Sequence, residues 1–163
     1  DYFFGREYTE DVIASHKIPL LKDSHIILEK DGGAVCIAGT RDFSEDTPSA
    51  NAALKGVDRD IPRIVLTHHP DYCGFLPNDE RIDLALSGHT HGGQVRIPFT
   101  DFAPVLPSNY GQKYSGGLVS LERPELTKVY VSRGVGVAML PVRFNCPPEL
   151  TFIRLVPGGA ETA

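Results

Sequence analysis

Apolar residues along this chain gather in short runs closed by glycine, proline and acidic residues, a spacing that predicts a mixed layout of helices and short strands. Thr9 is placed to cap a helix through Val12, Ile13 and Lys17, with Glu10 and Asp11 in a first turn where the helix dipole favours acids. Residues 25–29 and 34–38 are β-prone and flank Lys30, Asp31, Gly32 and Gly33, which is hairpin-turn chemistry. Thr47 and Pro48 open a second helix through Ala53 and Leu54 that ends near Gly56. Ile64, Val65 and Leu66, and then Ile82, Leu84 and Leu86, form two short apolar strands. Residues 118–121, 128–131 and 150–155 predict three more. Between them, residues 98–117 are rich in Pro, Gly, Ser, Asn and aromatics, and read as a long ordered loop. Loops of this length are uncommon unless functional or disordered. Tyr110, Tyr114, Phe99 and Phe102 are positioned to wall a binding site or to anchor that loop, and residues 157–163 read as a frayed tail.

The chemistry concentrates where the two apolar strands end. Residues 86–94 read LSGHTHGGQ, with His89 and His91 one residue apart between Gly88 and the pair Gly92 and Gly93. In an extended segment both imidazoles point the same way and Thr90 points away, while the glycines free the backbone for positive φ. An isolated HxH pair is more readily explained by loop histidines bonded to carbonyls, so a second element has to converge on the spot. Residues 63–71, RIVLTHHPD, supply one: a buried strand releases His68 and His69 before Pro70. If the strands run parallel, both motifs sit outside the carboxyl ends of a sheet, where open α/β folds bind ligands. Neighbouring residues face opposite ways, so one of His68 and His69 reaches a metal and the other packs; spacing does not say which. Neutral imidazoles suit zinc, manganese, iron or nickel.

Three segments together, LTHHPD (66–71), DLALSGHTHGGQVRIP (83–98) and VYVSRGVG followed by PVR and PPEL (129–150), resemble the calcineurin-like metallophosphoesterases, in particular a membrane-associated bacterial branch that hydrolyses phosphoesters. The resemblance spans most of the chain. It implies an α/β fold: the carboxyl-terminal half of a four-layer α/β/β/α sandwich with mixed sheets, with residues 1–163 in a single domain. It also implies that His68 and His89 share one metal, that His91 serves the other of a two-metal pair, and that His69 stands at a non-ligand position. Members begin with Asp-x-His, then Gly-Asp-x-x-Asp, then Gly-Asn-His followed by Asp or Glu, which supply the other ligands, the bridging Asp and a catalytic His. None of these occurs here. The opening DYFFG looks like the residues that follow Gly-Asn-His, which makes Asp1 the last residue of that motif. The expectation is therefore a carboxyl-terminal piece of a longer protein, or one half of a split one, whose partner is the missing amino-terminal half. A complete site would hold two divalent ions, manganese, iron or zinc, roughly 3.5 to 4 Å apart, to activate water against a phosphomonoester or phosphodiester. Asp71 and Asp83 are candidates to orient imidazole N–H groups, with turn and strand-start roles as the alternatives. Arg133 is a candidate for a substrate phosphate.

Composition adds limits. With 16 Lys and Arg against 21 Asp and Glu, the net charge of −5 argues against nucleic acid held through a general basic field. No apolar run is long enough to span a bilayer, and the start lacks a signal pattern; a bacterial protein, cytoplasmic or membrane-associated through a missing amino-terminal segment, fits the resemblance. Cys36, Cys73 and Cys146 lack pair spacing and read as free thiols, and His16 and His25 as non-catalytic. Lipid-linked or cell-envelope phosphoesters are the substrate class the branch suggests. Two other readings compete: a mononuclear three-histidine hydrolase, and a catalytically silent binding module that keeps the fold.

Overall fold

The computed structural model describes residues 5–122 and 127–156. They form one mixed six-stranded sheet from β1 (Ser24–Lys30), β2 (Gly33–Gly39), β3 (Arg63–Leu66), β4 (Leu84–Ser87), β5 (Gly117–Ser120) and β6 (Lys128–Val131), in the spatial order β1-β2-β3-β4-β6-β5. The four inner strands are parallel and the two edge strands antiparallel. β1 and β2 make the expected hairpin, with Lys30 opposite Gly33 and both intervening residues at positive φ, Asp31 at 51° and Gly32 at 78°. Asp-Gly suits that two-residue turn, whose twist matches the strands it joins.

Two helices appear where periodicity places them, with different starts. Helix α1 (Arg6–Ser15) begins after Gly5, whose carbonyl accepts both the Thr9 N–H, at 3.1 Å, and the Thr9 hydroxyl, at 3.0 Å. Thr9 thus bonds back into the helix and does not cap it. Helix α2 (Ala50–Ala53) is a single turn capped by Ser49, whose hydroxyl accepts the Ala52 N–H; Thr47 lies too far back to reach it. Residues 150–155 join no ladder. Their β-branched content favours extension, but strand formation needs a paired neighbour. Asp1 and residues 157–163 lie outside the described residues.

One face of the sheet is dry. Cys36, Ala38, Val65, Ala85, Val129 and Val131 are fully buried there under α2, Tyr114 and a 3₁₀ turn, Pro70–Phe75, that brings Tyr72 and Cys73. The Tyr72 hydroxyl accepts the Ala50 N–H at 2.8 Å and ties that turn to α2. All three cysteines are buried free thiols, and burial pushes Cys73 up to about 11, so it behaves as a small apolar residue. The opposite face carries Ile26, Leu28, Ile37, Leu66, Leu84, Leu86 and Leu118 in register, with Leu28 51% and Leu118 65% exposed.

The long loop is ordered by polar tethers. Gln112 Nε2 donates to the Ala103 carbonyl while its Oε1 accepts the Ala103 N–H, and the short 3₁₀ helix Gly111–Tyr114 sends Tyr114 into the core. Phe99 is fully exposed, so the four aromatics do not make one wall. The anchor is Asp71. Its buried carboxylate accepts the Ser108 hydroxyl at 2.5 Å and the Asn109 N–H at 2.8 Å. Replacing it removes a charged acceptor from two part-buried hydrogen bonds, so Asp71→Ala is expected to cost about 1.5–3 kcal/mol in urea unfolding. It should also open residues 98–117 to limited proteolysis; an unchanged cleavage pattern would show that the tether does not hold the loop.

Candidate metal centre

β3 and β4 pair in parallel with Ile64 opposite Leu84 and Leu66 opposite Leu86. The ladder runs past both strand ends: the Thr67 N–H donates to the Leu86 carbonyl and the Gly88 N–H to the His68 carbonyl, each at 3.0 Å. The two histidine motifs therefore leave the sheet side by side. A cleft of about 390 Å³ opens there, lined by Gly39, Thr40, Thr67, His68, Ser87 and Gly88 at the strand ends and by residues 19–21 opposite.

His68, on the lining of this cleft, meets His89. His68 Nε2 lies 3.2 Å from His89 Nδ1, with the rings edge to face. His69 stacks on His89 with centroids 4.0 Å apart and makes an edge-to-face contact with Phe43, centroids 5.5 Å apart. Its Nδ1 accepts the Asp71 N–H at 3.3 Å, capping the 3₁₀ turn, which leaves the His69 proton on Nε2. Burial, the largest cause, lowers both His68 and His89 to about 4; the neighbouring imidazoles add to it and the Asp42 carboxylate opposes it. Both rings are thus neutral near pH 7, the state that ligates a metal.

His91 is held elsewhere. The extended geometry expected for HxH does not form: His89 and His91 have φ of 64° and 51°, and Thr90 between them is helical and buried, so the segment coils. His91 Nδ1 faces the Gly136 carbonyl at 3.3 Å. The glycines divide their work differently from the expectation. Gly88 has no positive φ, whereas Gly92 and Gly93 do, and a Cβ on Gly92 would overlap Arg133 and Cys146 while one on Gly93 would overlap Ala103. Their role is close packing as well as turning.

The other candidates are engaged locally. The Asp71 carboxylate holds the long loop, 3.9 Å from the His69 nitrogen that its own N–H already occupies, so it does not take an imidazole proton. Asp83 accepts the Arg63 N–H and pairs with Arg81 at the start of β4, its strand-start role. Arg133 pairs with Glu149 at 2.6 Å. His25 and His16 bond the carbonyls of Ala53 and Val12. Three residues near the histidines carry no motif of their own: Asp42, whose charge acts on both His68 and His89; Gln94, whose amide donates to the Leu140 and Val142 carbonyls; and Arg143. Gln94 and Arg143 stand inside quoted segments, HGGQ and PVR, but nothing in the spacing marks them.

The donor set fits part of a divalent metal site. Two imidazole nitrogens on one ion at about 2.0–2.1 Å and tetrahedral angles stand about 3.3 Å apart, close to the 3.2 Å between His68 and His89. Among the described residues no group of three or more His, Cys, Asp or Glu side chains is arranged to hold a metal.

No protein-family model and no solved structure matches the chain. Curated relatives do. The chain is 35% identical to the uncharacterized metallophosphoesterase YkuE of Bacillus subtilis over 125 residues, covering 77% of this chain and 42% of that protein. It is 41% identical to the phosphodiesterase YaeI of Escherichia coli over 101 residues, 61% of this chain and 34% of the relative. It is 33% identical to the UDP-2,3-diacylglucosamine pyrophosphatase LpxG of Chlamydia trachomatis over 129 residues, 72% of this chain and 36% of that protein. The chain thus spans less than half the length of each of these relatives. With paired histidines at the ends of parallel strands and this consistent similarity, the chain belongs to the calcineurin-like metallophosphoesterase family.

Proposed function

We propose that this chain is the histidine-bearing, carboxyl-terminal part of a dinuclear metallophosphoesterase, with His68 and His89 on one divalent ion and His91 on a second. The observation that carries the reading is the 3.2 Å approach of His68 Nε2 to His89 Nδ1, with both rings kept neutral by burial at the mouth of parallel strands. Manganese, iron or zinc bound there supplies Lewis acidity and a more acidic water for in-line attack on a phosphoester. The chain's own residues orient the donors: His69 braces His89 by stacking, and the strand ladder fixes His68 beside Gly88. The remaining ligands, including a bridging carboxylate, belong to an amino-terminal half. Two observations support this: the relatives are more than twice as long as the matched region, and the sheet face opposite the core leaves Leu28, Leu66 and Leu118 exposed.

The substrate reading is a phosphomonoester or phosphodiester, lipid-linked in character. LpxG is named for a diacylated substrate, and here Val135, Val137, Met139 and Leu140 are exposed around the carbonyl that faces His91. Among the described residues no helix is long and apolar enough to cross a membrane, and the relatives named above are bacterial.

The natural protein carrying this chain, loaded with manganese, should hydrolyse bis(p-nitrophenyl) phosphate and contain two metals per chain by elemental analysis. His89→Ala should lose one metal and about 10²-fold or more in turnover. Full activity with one metal would favour a mononuclear site, and no turnover by the loaded protein a silent module.

The pH dependence of the metal-free protein tests the buried pair. Unfolded histidine takes up a proton near 6.5, whereas His68 and His89 resist until about 4 in the fold, so the unfolded chain binds more protons between these values. Stability is therefore complete above pH 6.5 and falls as the pH drops towards 4. The melting temperature of the metal-free protein should fall across that window, and less so in a His68→Gln, His89→Gln double variant. Parallel curves for the two proteins would rule out a buried neutral pair.

A further inference from the structure

Arg143 directs its guanidinium at backbone carbonyls. Nε donates to the Gly136 carbonyl at 2.9 Å; Nη2 donates to Gly136 at 2.6 Å, to Arg133 at 2.7 Å and to Gly134 at 3.3 Å. Nη1 donates to the His91 carbonyl at 3.1 Å and to the Cys146 carbonyl at 3.3 Å. Among the described residues no carboxylate pairs with it. A half-buried arginine that gives its whole fork to carbonyls is a geometric device, because its planar, fixed donors set the relative positions of the oxygens they reach.

Two of those oxygens belong to the same imidazole's environment. Gly136 O is the atom that His91 Nδ1 faces, and His91 O is the carbonyl of that histidine itself. The carbonyl of Gly136 can only accept, so the proton of a neutral His91 bonded to it sits on Nδ1 and the lone pair is on Nε2. The His91 backbone lies at φ 51°, in the left-handed region where a Cβ crowds the following carbonyl oxygen. Bonds to its carbonyl from Arg143 and from the Cys146 thiol, at 3.5 Å, help hold it there.

We propose that Arg143 is a positioning residue for His91: one guanidinium fixes both the carbonyl that selects the ring tautomer and the strained backbone that carries the ring, presenting Nε2 for a metal. Gln94 closes the same loop from the other side, its Oε1 accepting the Ala138 N–H and its Nε2 reaching the Leu140 and Val142 carbonyls. The role of Arg143 rests on the reading of His91 as a ligand, and it differs from loop anchoring in predicting a particular ring state.

The test reads that state directly. Long-range ¹H–¹⁵N spectra of ¹⁵N-histidine-labelled, metal-free natural protein at pH 7.5 should show His91 as the Nδ1–H tautomer; the Nε2–H tautomer in the folded wild type overturns the proposal without any variant. Arg143→Lys keeps the charge and removes the fork. It should mix the His91 tautomers and weaken the second zinc by about 10- to 100-fold in calorimetric titration with zinc, leaving the first zinc unchanged. If Arg143→Lys keeps the tautomer and both zinc affinities, the positioning role is wrong while the dinuclear reading stands. If His91→Ala binds two zinc ions as tightly as wild type, His91 is no ligand and both fall.

Discussion

Everything in the site depends on the parallel pairing of β3 with β4 and on its continuation for one residue beyond each strand. The bonds from Thr67 to Leu86 and from Gly88 to His68 are ordinary backbone hydrogen bonds, worth about 0.5–1.5 kcal/mol each in net stability. Their effect is positional. They deliver two histidines separated by 21 residues to within 3.2 Å of each other. The dry face below, built on Val65, Ala85, Val129 and Val131, holds the strands in that register, since a slip by one residue would turn every side chain to the other face.

Burial then sets the chemistry. Desolvation lowers His68 and His89 far enough that neither carries a positive charge at neutral pH, and the stacked His69 fills the space beside them while capping its own turn. The buried carboxylate nearest this cluster, Asp71, is committed to Ser108 and Asn109, which makes it a structural anchor for the long loop. On the other flank, Arg143 and Gln94 stitch the loop of residues 133–146 onto the histidine turn through carbonyl contacts.

Much of the fold was legible because it rests on local rules. The Asp31-Gly32 turn, the short apolar runs of β3 and β4 and the glycine pair after His91 each carry their conformation in residue type. Residues 150–155 show where such rules stop, because a β-prone run becomes a strand only beside a partner. The extended reading of HxH failed for a related reason. Alternation holds only for extended backbone, and packing of Gly92 against Arg133 and Cys146 and of Gly93 against Ala103 coils the segment instead.

The sequence by itself determined that histidines emerge from the ends of two short apolar strands, that glycines follow the second, and that the segments 66–71 and 83–98 resemble one family, since these are properties of residue order. Tertiary structure decided which imidazole meets which. His68 turns to His89, His69 to the Asp71 N–H and His91 to the Gly136 carbonyl, because each ring's orientation follows from backbone angles and from partners that folding brings to it. Arg143 belongs to the same class: its partners are carbonyl oxygens, which every residue has and no sequence pattern can distinguish, so only folding could assign it a place.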